Sequence, residues 1–275
     1  MRVHGTQIAK DIEARVRTAI EVRDQKPRLA ILTCAPNLAT QKFLALKIAC
    51  AERVGAVIDL HSCSPERSTE DIIESLGQLV STCDGIIVQL PFPPHIDVSA
   101  VLAAIPASHD VDAIGTEATA HLEDDQAVVL PPVVAAIRAI VDVHDVSFEG
   151  KRVVVVGSGR LVGKPAAVWL AHRGVDVTVV TKETDALAEK TRGADVLVLG
   201  AGVPGLITPD MIKEDVLIFD AGSSEDAGKL VGDADPRCEE KASLFTPVPG
   251  GIGPITVSII FENLLALGES RGALG

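Results

Sequence analysis

The segment Gly157-Ser158-Gly159-Arg160-Leu161-Val162-Gly163-Lys164-Pro165 directly follows a run of four valines and leads into a helical pattern. Glycines at such a junction let the backbone approach a phosphate, and the helix N-terminus adds N–H donors and a positive dipole end. The spacing is GxGxxxG with a trailing proline rather than GxGxxG, so the segment reads either as a dinucleotide-binding turn or as a tight strand-to-helix connection. The next strand candidate ends at Thr181 and Lys182. An acid there would accept from a ribose 2′-hydroxyl, whereas a cation would meet a 2′-phosphate. This favours NADP, with Glu183 one residue on keeping NAD open.

Phe43 and Lys47 stand four apart on one helix face. An ammonium beside an aromatic near a strand end suits acid–base work if its pKa is tuned, and equally a lysine lying over a core phenylalanine. Gln89 ends the apolar run GIIVQLP (85–91), at the carboxyl end of a buried strand, where open α/β sheets form their binding crevices. Asp110 and Asp112 in HDVDAIG suit either ligand contact or turn capping. The seven histidines lack metal-ligand spacing, and GxSxG, HExxH and a P-loop lysine are all missing.

The elements that must hold these residues alternate. Ile8, Ile12, Val16 and Ile20 form one stripe of an amphipathic helix over 5–23. Strand candidates at 28–34, 56–63 and 85–91 alternate with helices at 38–54 and from Ser68 to near Cys83, the latter opened by a capping serine and first-turn acids. Residues 106–132 read as irregular, and 133–141 as a helix linking two domains. A second series follows: RVVVVG from 152, helix 161–173, VDVTVV, helix 184–192, VLVLGA and VLIFDAG. A last helix is expected over 254–267, with Pro254 where a helix start tolerates proline. Strands separated by helical crossovers imply parallel α/β sheets.

The 275 residues suit one large α/β unit or two modest domains. Hydrophobic residues make up 47% and charged residues 23%, which excludes a disordered chain. The apolar runs at 153–156 and 196–207 are too short or too glycine-rich to span a bilayer, and a leader pattern is missing, so a cytoplasmic protein is expected. A net charge of −13 gives no global attraction for nucleic acid or anionic membrane. Five widely spaced cysteines without CxxC read as buried thiols rather than a zinc site or disulfide framework.

Seven segments occur in one order: FLALK (43–47), GIIVQLPFP (85–93), DVDAIG (110–115), VVVVGSGRLVGKP (153–165), ADVLVLGAGVPGLI (194–207), VGDAD (231–235) and TPVPGGIGPITV (246–257). In this order the chain resembles the bifunctional methylenetetrahydrofolate dehydrogenase/cyclohydrolase family over nearly its whole length. The resemblance implies two α/β domains around a cleft. Residues 1–132 plus 253–275 would hold the folate, and a Rossmann-like domain over 133–252 would hold NADP. It implies a homodimer that oxidises methylenetetrahydrofolate by hydride transfer and hydrolyses the methenyl product. Carried over residue by residue, Lys47 and Gln89 serve the hydrolytic step and Asp112 holds the pterin. Phe43, Pro249, Gly250, Gly251 and Pro254 line the substrate. The cofactor falls to Gly157, Ser158, Gly159, Arg160, Val162, Gly163, Lys164, Pro165, Thr181, Lys182, Gly200, Ala201, Gly222 and Thr256.

The chain departs from the family pattern at the pterin end. Phe43 stands where the family has tyrosine, Ala113 and Ile114 replace a glycine and an aromatic, and Leu130-Pro131-Pro132 replaces Pro-Cys-Thr-Pro. Losing the tyrosine hydroxyl removes a hydrogen bond and a proton-relay partner, so weakened hydrolysis is expected beside intact oxidation. Two other readings remain: a diverged NADP-dependent oxidoreductase acting on another substrate such as a cyclic imine, and a nucleotide-binding protein without catalysis.

Overall fold

Six parallel strand pairings among the described residues follow from runs such as VVVV and GIIV, which are apolar on both faces and can be buried only within a covered sheet. The computed structural model describes residues 1–34, 36, 38–226 and 228–272, with backbone alone at 38, 39 and 226. The last three residues of the expected folate-binding segment, 273–275, lie outside the described residues.

The element order is α1 (Gly5–Glu21), β1 (Arg28–Cys34), α2 (Leu38–Val54), β2 (Val57–Cys63), α3 (Thr69–Val80), β3 (Gly85–Gln89), α4 (Val98–Ala103), α5 (Thr116–Glu123), α6 (Pro132–Val143), β4 (Arg152–Val156), α7 (Gly163–Ala171), β5 (Asp176–Val180), α8 (Leu187–Arg192), β6 (Val196–Leu199), β7 (Leu217–Asp220), β8 (Ser224–Asp226), β9 (Lys229–Val231), β10 (Leu244–Phe245) and α9 (Ile252–Ser270). The region read as irregular contains α5, and the β8–β9 hairpin was not anticipated. Residues 116–123 have mixed polarity, and the two three-residue strands are too short for a period-2 signal.

The chain forms two compact units. One comprises Lys10–Pro132 and Val257–Gly275 and carries the sheet β2-β1-β3. Its core packs Ala30, Leu32, Ile86 and Val88 of the strands against Ile72, Leu76 and Leu79 of α3 and Val101 and Leu102 of α4. The α3 N-terminus carries a capping box: Ser68 Oγ accepts from the Asp71 amide, and the Asp71 carboxylate accepts from the Ser68 amide.

The other unit comprises Met1–Ala9 and Val133–Thr256. Its parallel sheet runs β10-β7-β6-β4-β5. The chain leaves β4 toward β5 and then returns to β6 on the other side of β4. This reversal creates the topological switch point at which open α/β sheets bind ligands. Met1–Ala9 cluster with this unit, not with the folate-binding domain expected over 1–132. The reason is backbone pairing with β10: the Val3 amide donates to Phe245 O (2.9 Å), and the Phe245 amide donates to Met1 O (2.9 Å).

One helix among the described residues, α9, is long and apolar enough to cross a membrane, although the sequence reading found no such stretch. Two-thirds of its apolar window is buried inside the protein (67%), with Phe261, Leu264 and Leu267 fully enclosed, so it behaves as a core helix.

Candidate active site

Lys47 lies in the third turn of α2, whose orientation is set by a polar clamp. Glu13 of α1 accepts two hydrogen bonds from Arg53 (both 2.7 Å), one from the Cys50 thiol (3.4 Å) and one from Ser258 of α9 (3.2 Å). Arg53 holds the Glu13 carboxyl below the usual range, and burial pushes the Cys50 thiol up to about 12, so this cysteine is an inert packing residue.

The Lys47 side chain is buried at 8% exposure and its Nζ donates to Gln89 Oε1 at 2.7 Å. Gln89 is the last residue of β3, and its Nε2 donates to Leu90 O (3.2 Å). A buried ammonium is costly unless paired. Here the neutral Gln89 amide oxygen accepts one N–H of the ammonium, and the Asp112 carboxylate supplies the opposing charge. Burial pushes the Asp112 carboxyl up, and the Lys47 ammonium pulls it back down. Phe43, one turn before Lys47, is half-buried. The structure thus brings Lys47, Gln89 and Asp112 together as a hydrogen-bonded and electrostatic triad.

The loop bearing Asp112 is held from three directions. Residues 109–110 run beside β3, with the Ile86 amide donating to His109 O at 2.7 Å. Asp110 accepts from the Gly115 amide at 2.6 Å. Asn263 of α9 donates through Nδ2 to Val111 O (2.9 Å) and to Leu130 O (3.0 Å), tying the DVD loop to the Leu130-Pro131-Pro132 segment. Sequence reasoning missed Asn263. It follows Glu262 in α9, and its local sequence does not distinguish it from a solvated polar residue.

Ala113 has φ +50°, a left-handed conformation that favours glycine, which the resembling family carries there. Ala113→Gly is therefore expected to stabilise the protein by about 0.5–1 kcal/mol in a denaturant titration. Destabilisation would mean that packing of the Ala113 methyl outweighs the strain.

Asp110 is almost wholly buried, which pushes its carboxyl up to about 7 despite the backbone donors. A raised folded-state pKa contributes stability that is complete below the unfolded value near 3.8 and lost as pH rises through about 7. Relative to Asp110→Asn, the parent should lose stability between pH 4 and 7, by on the order of 4 kcal/mol at most. Denaturant titrations of both proteins across that range test this, and a pH-independent difference contradicts it.

In the other unit, Gly157 follows β4 with φ +109°, and its amide donates to Val180 O at 2.7 Å. A Cβ on Gly157 would meet the Gly200 carbonyl at 2.5 Å. One on Gly163 would strike the Gly157 carbonyl, and one on Gly200 would strike Val162. Gly157 and Gly200 thus bring the loops after β4 and β6 backbone to backbone at the switch point, with the Val162 side chain packed on Gly200. A Cβ on Gly159 would find nothing closer than the Gly200 carbonyl at 4.0 Å, which leaves room for a phosphate. Ser158, Gly159 and Arg160 are exposed there, while Pro165 is buried in α7. The Lys164 amide donates to Gly159 O.

Val156 pairs with Val180, so Thr181 and Lys182 continue from β5 beside the Gly157 turn. The Thr181 amide donates to Thr184 Oγ1 at 2.8 Å, and exposed Lys182 lies 3.8 Å from Glu183. At the carboxyl end of β10, the Gly251 amide donates to Pro247 O (2.7 Å) and Gly250 O accepts from the Gly5 amide (3.0 Å). Pro249 follows a cis peptide bond, Pro254 lies in the first turn of α9, and Thr256 Oγ1 donates to Gly253 O at 2.7 Å. Two expected cofactor residues have their amides committed elsewhere. The Ala201 amide donates to Asp233 Oδ2 (2.6 Å), and the Gly222 amide donates to Asp220 Oδ1 (2.8 Å).

A glycine turn at the switch point of a parallel sheet, with open space beside it, defines a dinucleotide-binding α/β protein, and the buried Lys47 pair gives its other unit acid–base capability. Residues 3–112 match the tetrahydrofolate dehydrogenase/cyclohydrolase catalytic domain, and residues 131–271 match the NAD(P)-binding domain of the same family. The chain belongs to the tetrahydrofolate dehydrogenase/cyclohydrolase family. It is 35% identical to the bifunctional protein FolD of Caldanaerobacter subterraneus subsp. tengcongensis over 268 residues, covering 96% of this chain and 95% of that one. It is 33% identical to FolD of Fusobacterium nucleatum over 273 residues, covering 96% of each. The crystal structure of the bifunctional enzyme from Campylobacter jejuni superposes with a TM-score of 0.94 at 28% identity, covering 98% of this chain and 99% of that one. The Trypanosoma brucei enzyme, crystallised with NADP cofactor and an inhibitor, gives 0.93 at 29% identity, covering 99% and 98%.

Proposed function

We infer that this protein oxidises methylenetetrahydrofolate to methenyltetrahydrofolate with NADP, and that its hydrolysis of the methenyl product to formyltetrahydrofolate is slow. The observation that carries this reading is the Lys47–Gln89 hydrogen bond with Asp112 beside it, in a chain whose two halves match the family's catalytic and NAD(P)-binding domains.

The residues suit a dinucleotide. The turn 157–160 would take its pyrophosphate, and Arg160 or Lys182 its 2′-phosphate. When bound, the nicotinamide supplies a hydride acceptor. On the folate side, Asp112 accepts hydrogen bonds from the pterin and Phe43 covers a ring face. The cation left by hydride departure is stabilised by its own flanking nitrogens, so oxidation needs alignment more than acid–base help. Hydrolysis needs water activated and protons moved, and Lys47 is the group placed to move them, with Gln89 orienting its Nζ.

The folate substrate accords with the relatives. We further place the protein in the cytoplasm, as a homodimer with no nucleic-acid or membrane partner. The exposed Val179 on β5, the edge strand of its sheet, supports a second copy there. The test is to supply methylenetetrahydrofolate with NADP+, then methenyltetrahydrofolate alone. NADPH formation with little enzyme-dependent hydrolysis is expected. No affinity for tetrahydrofolates would transfer the case to the cyclic-imine reading, which the altered 113–114 and 130–132 segments favour, whereas folate binding without NADPH formation would transfer it to the non-catalytic nucleotide-binding reading.

A further inference from the structure

We propose that Asp233 is a positioning residue for the dinucleotide site, locking the loop after β6 through its carboxylate, with Asp220 as the anchor behind it. This rests on the dinucleotide-binding reading above. Asp233 is fully buried and takes three consecutive amides of that loop: Ala201 (2.6 Å) and Gly202 (3.0 Å) on Oδ2, and Val203 (2.9 Å) on Oδ1. A carboxylate that accepts several backbone N–H groups is a strong, directional clamp. It fixes Gly200, the residue whose carbonyl and Val162 contact shape the Gly157 turn.

Asp233 is itself held. Asp220, buried at the end of β7, accepts from the amides of Gly222 (2.8 Å), Asp233 (3.2 Å) and Ala234 (2.8 Å), and its own amide donates to Thr246 Oγ1 (2.6 Å). A Cβ on Gly222 would meet Asp233 Oδ1 at 2.5 Å, so glycine there admits the clamp. Two buried carboxylates thus wire together the loops at the carboxyl ends of β6, β7 and β10.

One consequence concerns recognition. The amides of 201–203 face Asp233, so this loop offers the cofactor carbonyl oxygens and apolar surface, which suit the amide hydrogens and ring face of a nicotinamide, rather than N–H donors for a phosphate.

The test combines amide exchange with ligand titration. In Asp233→Asn an NH2 group confronts N–H donors. The amides of 201–203 should exchange faster, and the Kd for NADP+ should rise roughly 10–100-fold, the worth of one or two charge-assisted hydrogen bonds. The Kd for tetrahydrofolate without dinucleotide should stay at the parent value. NADP+ affinity at the parent level, or equal weakening of both ligands, overturns the proposal. The unmodified protein decides the matter even where the variant does not fold: amides 201–203 should already be protected before NADP+ is added. Protection arising only with NADP+ would show that these amides serve the ligand and would sink the clamp. A parent protein that binds no dinucleotide brings down the functional reading as well, whereas a normally binding Asp233→Asn protein brings down this inference alone.

Discussion

Lys47→Met is expected to slow enzyme-dependent hydrolysis of methenyltetrahydrofolate by roughly 10²–10⁴-fold, with a far smaller effect on oxidation of methylenetetrahydrofolate. Methionine keeps most of the lysine volume and removes the ammonium. Nζ is the donor to Gln89 Oε1 at 2.7 Å and the positive charge that opposes Asp112 desolvation. Without it, the hydrolytic step has no proton carrier at that position. Hydride departure asks only for alignment, a demand that does not involve the Lys47 ammonium in the function proposed above. The Asp112 carboxyl, no longer opposed, should rise further, so folate affinity in the variant should fall as pH drops. Separate assays of NADPH formation and methenyl hydrolysis read the two steps. Equal losses in both would mean that Lys47 acts in binding and not in proton movement.

Phe43→Tyr should move hydrolysis the other way. Phe43 precedes Lys47 by one helical turn, so a phenol oxygen would be added on the face that carries Nζ. A positioned acid–base group is worth roughly 10²–10⁴-fold, so part of that range should be regained in hydrolysis of methenyltetrahydrofolate, with much less change in hydride transfer. Phe43 is half-buried, which leaves room for the hydroxyl to remain solvated or bonded rather than orphaned. An unchanged hydrolysis rate in a folded Phe43→Tyr protein, or brisk hydrolysis in the parent, would show that the missing hydroxyl does not limit the second activity.

Much of this site could be read from local signals. The expected strand over 28–34 and helix over 38–54 match β1 and α2 at both ends, and the serine-led helix start carries its capping box. Apolar runs and caps act over a few residues, so their physics is written in adjacent letters. Family motifs named Lys47, Gln89 and Asp112, and the fold brings them together. The φ of +50° at Ala113 was already hinted at by a departure from glycine.

Residue order alone, then, specified the alternating strands and helices, the glycine turn and the chemical types at the site. Long-range pairing specified the rest. Met1–Ala9 joined the sheet of a distant segment because β10 left backbone groups to be satisfied. Asn263 and Asp233 became positioning residues only once folding set their side chains against orphan carbonyls and amides 133 or more residues away in one case and 30–32 in the other. A hydrogen bond between remote residues has no local periodicity, so nothing in the neighbouring letters announces it, and burial, which makes it strong, exists only in the folded chain.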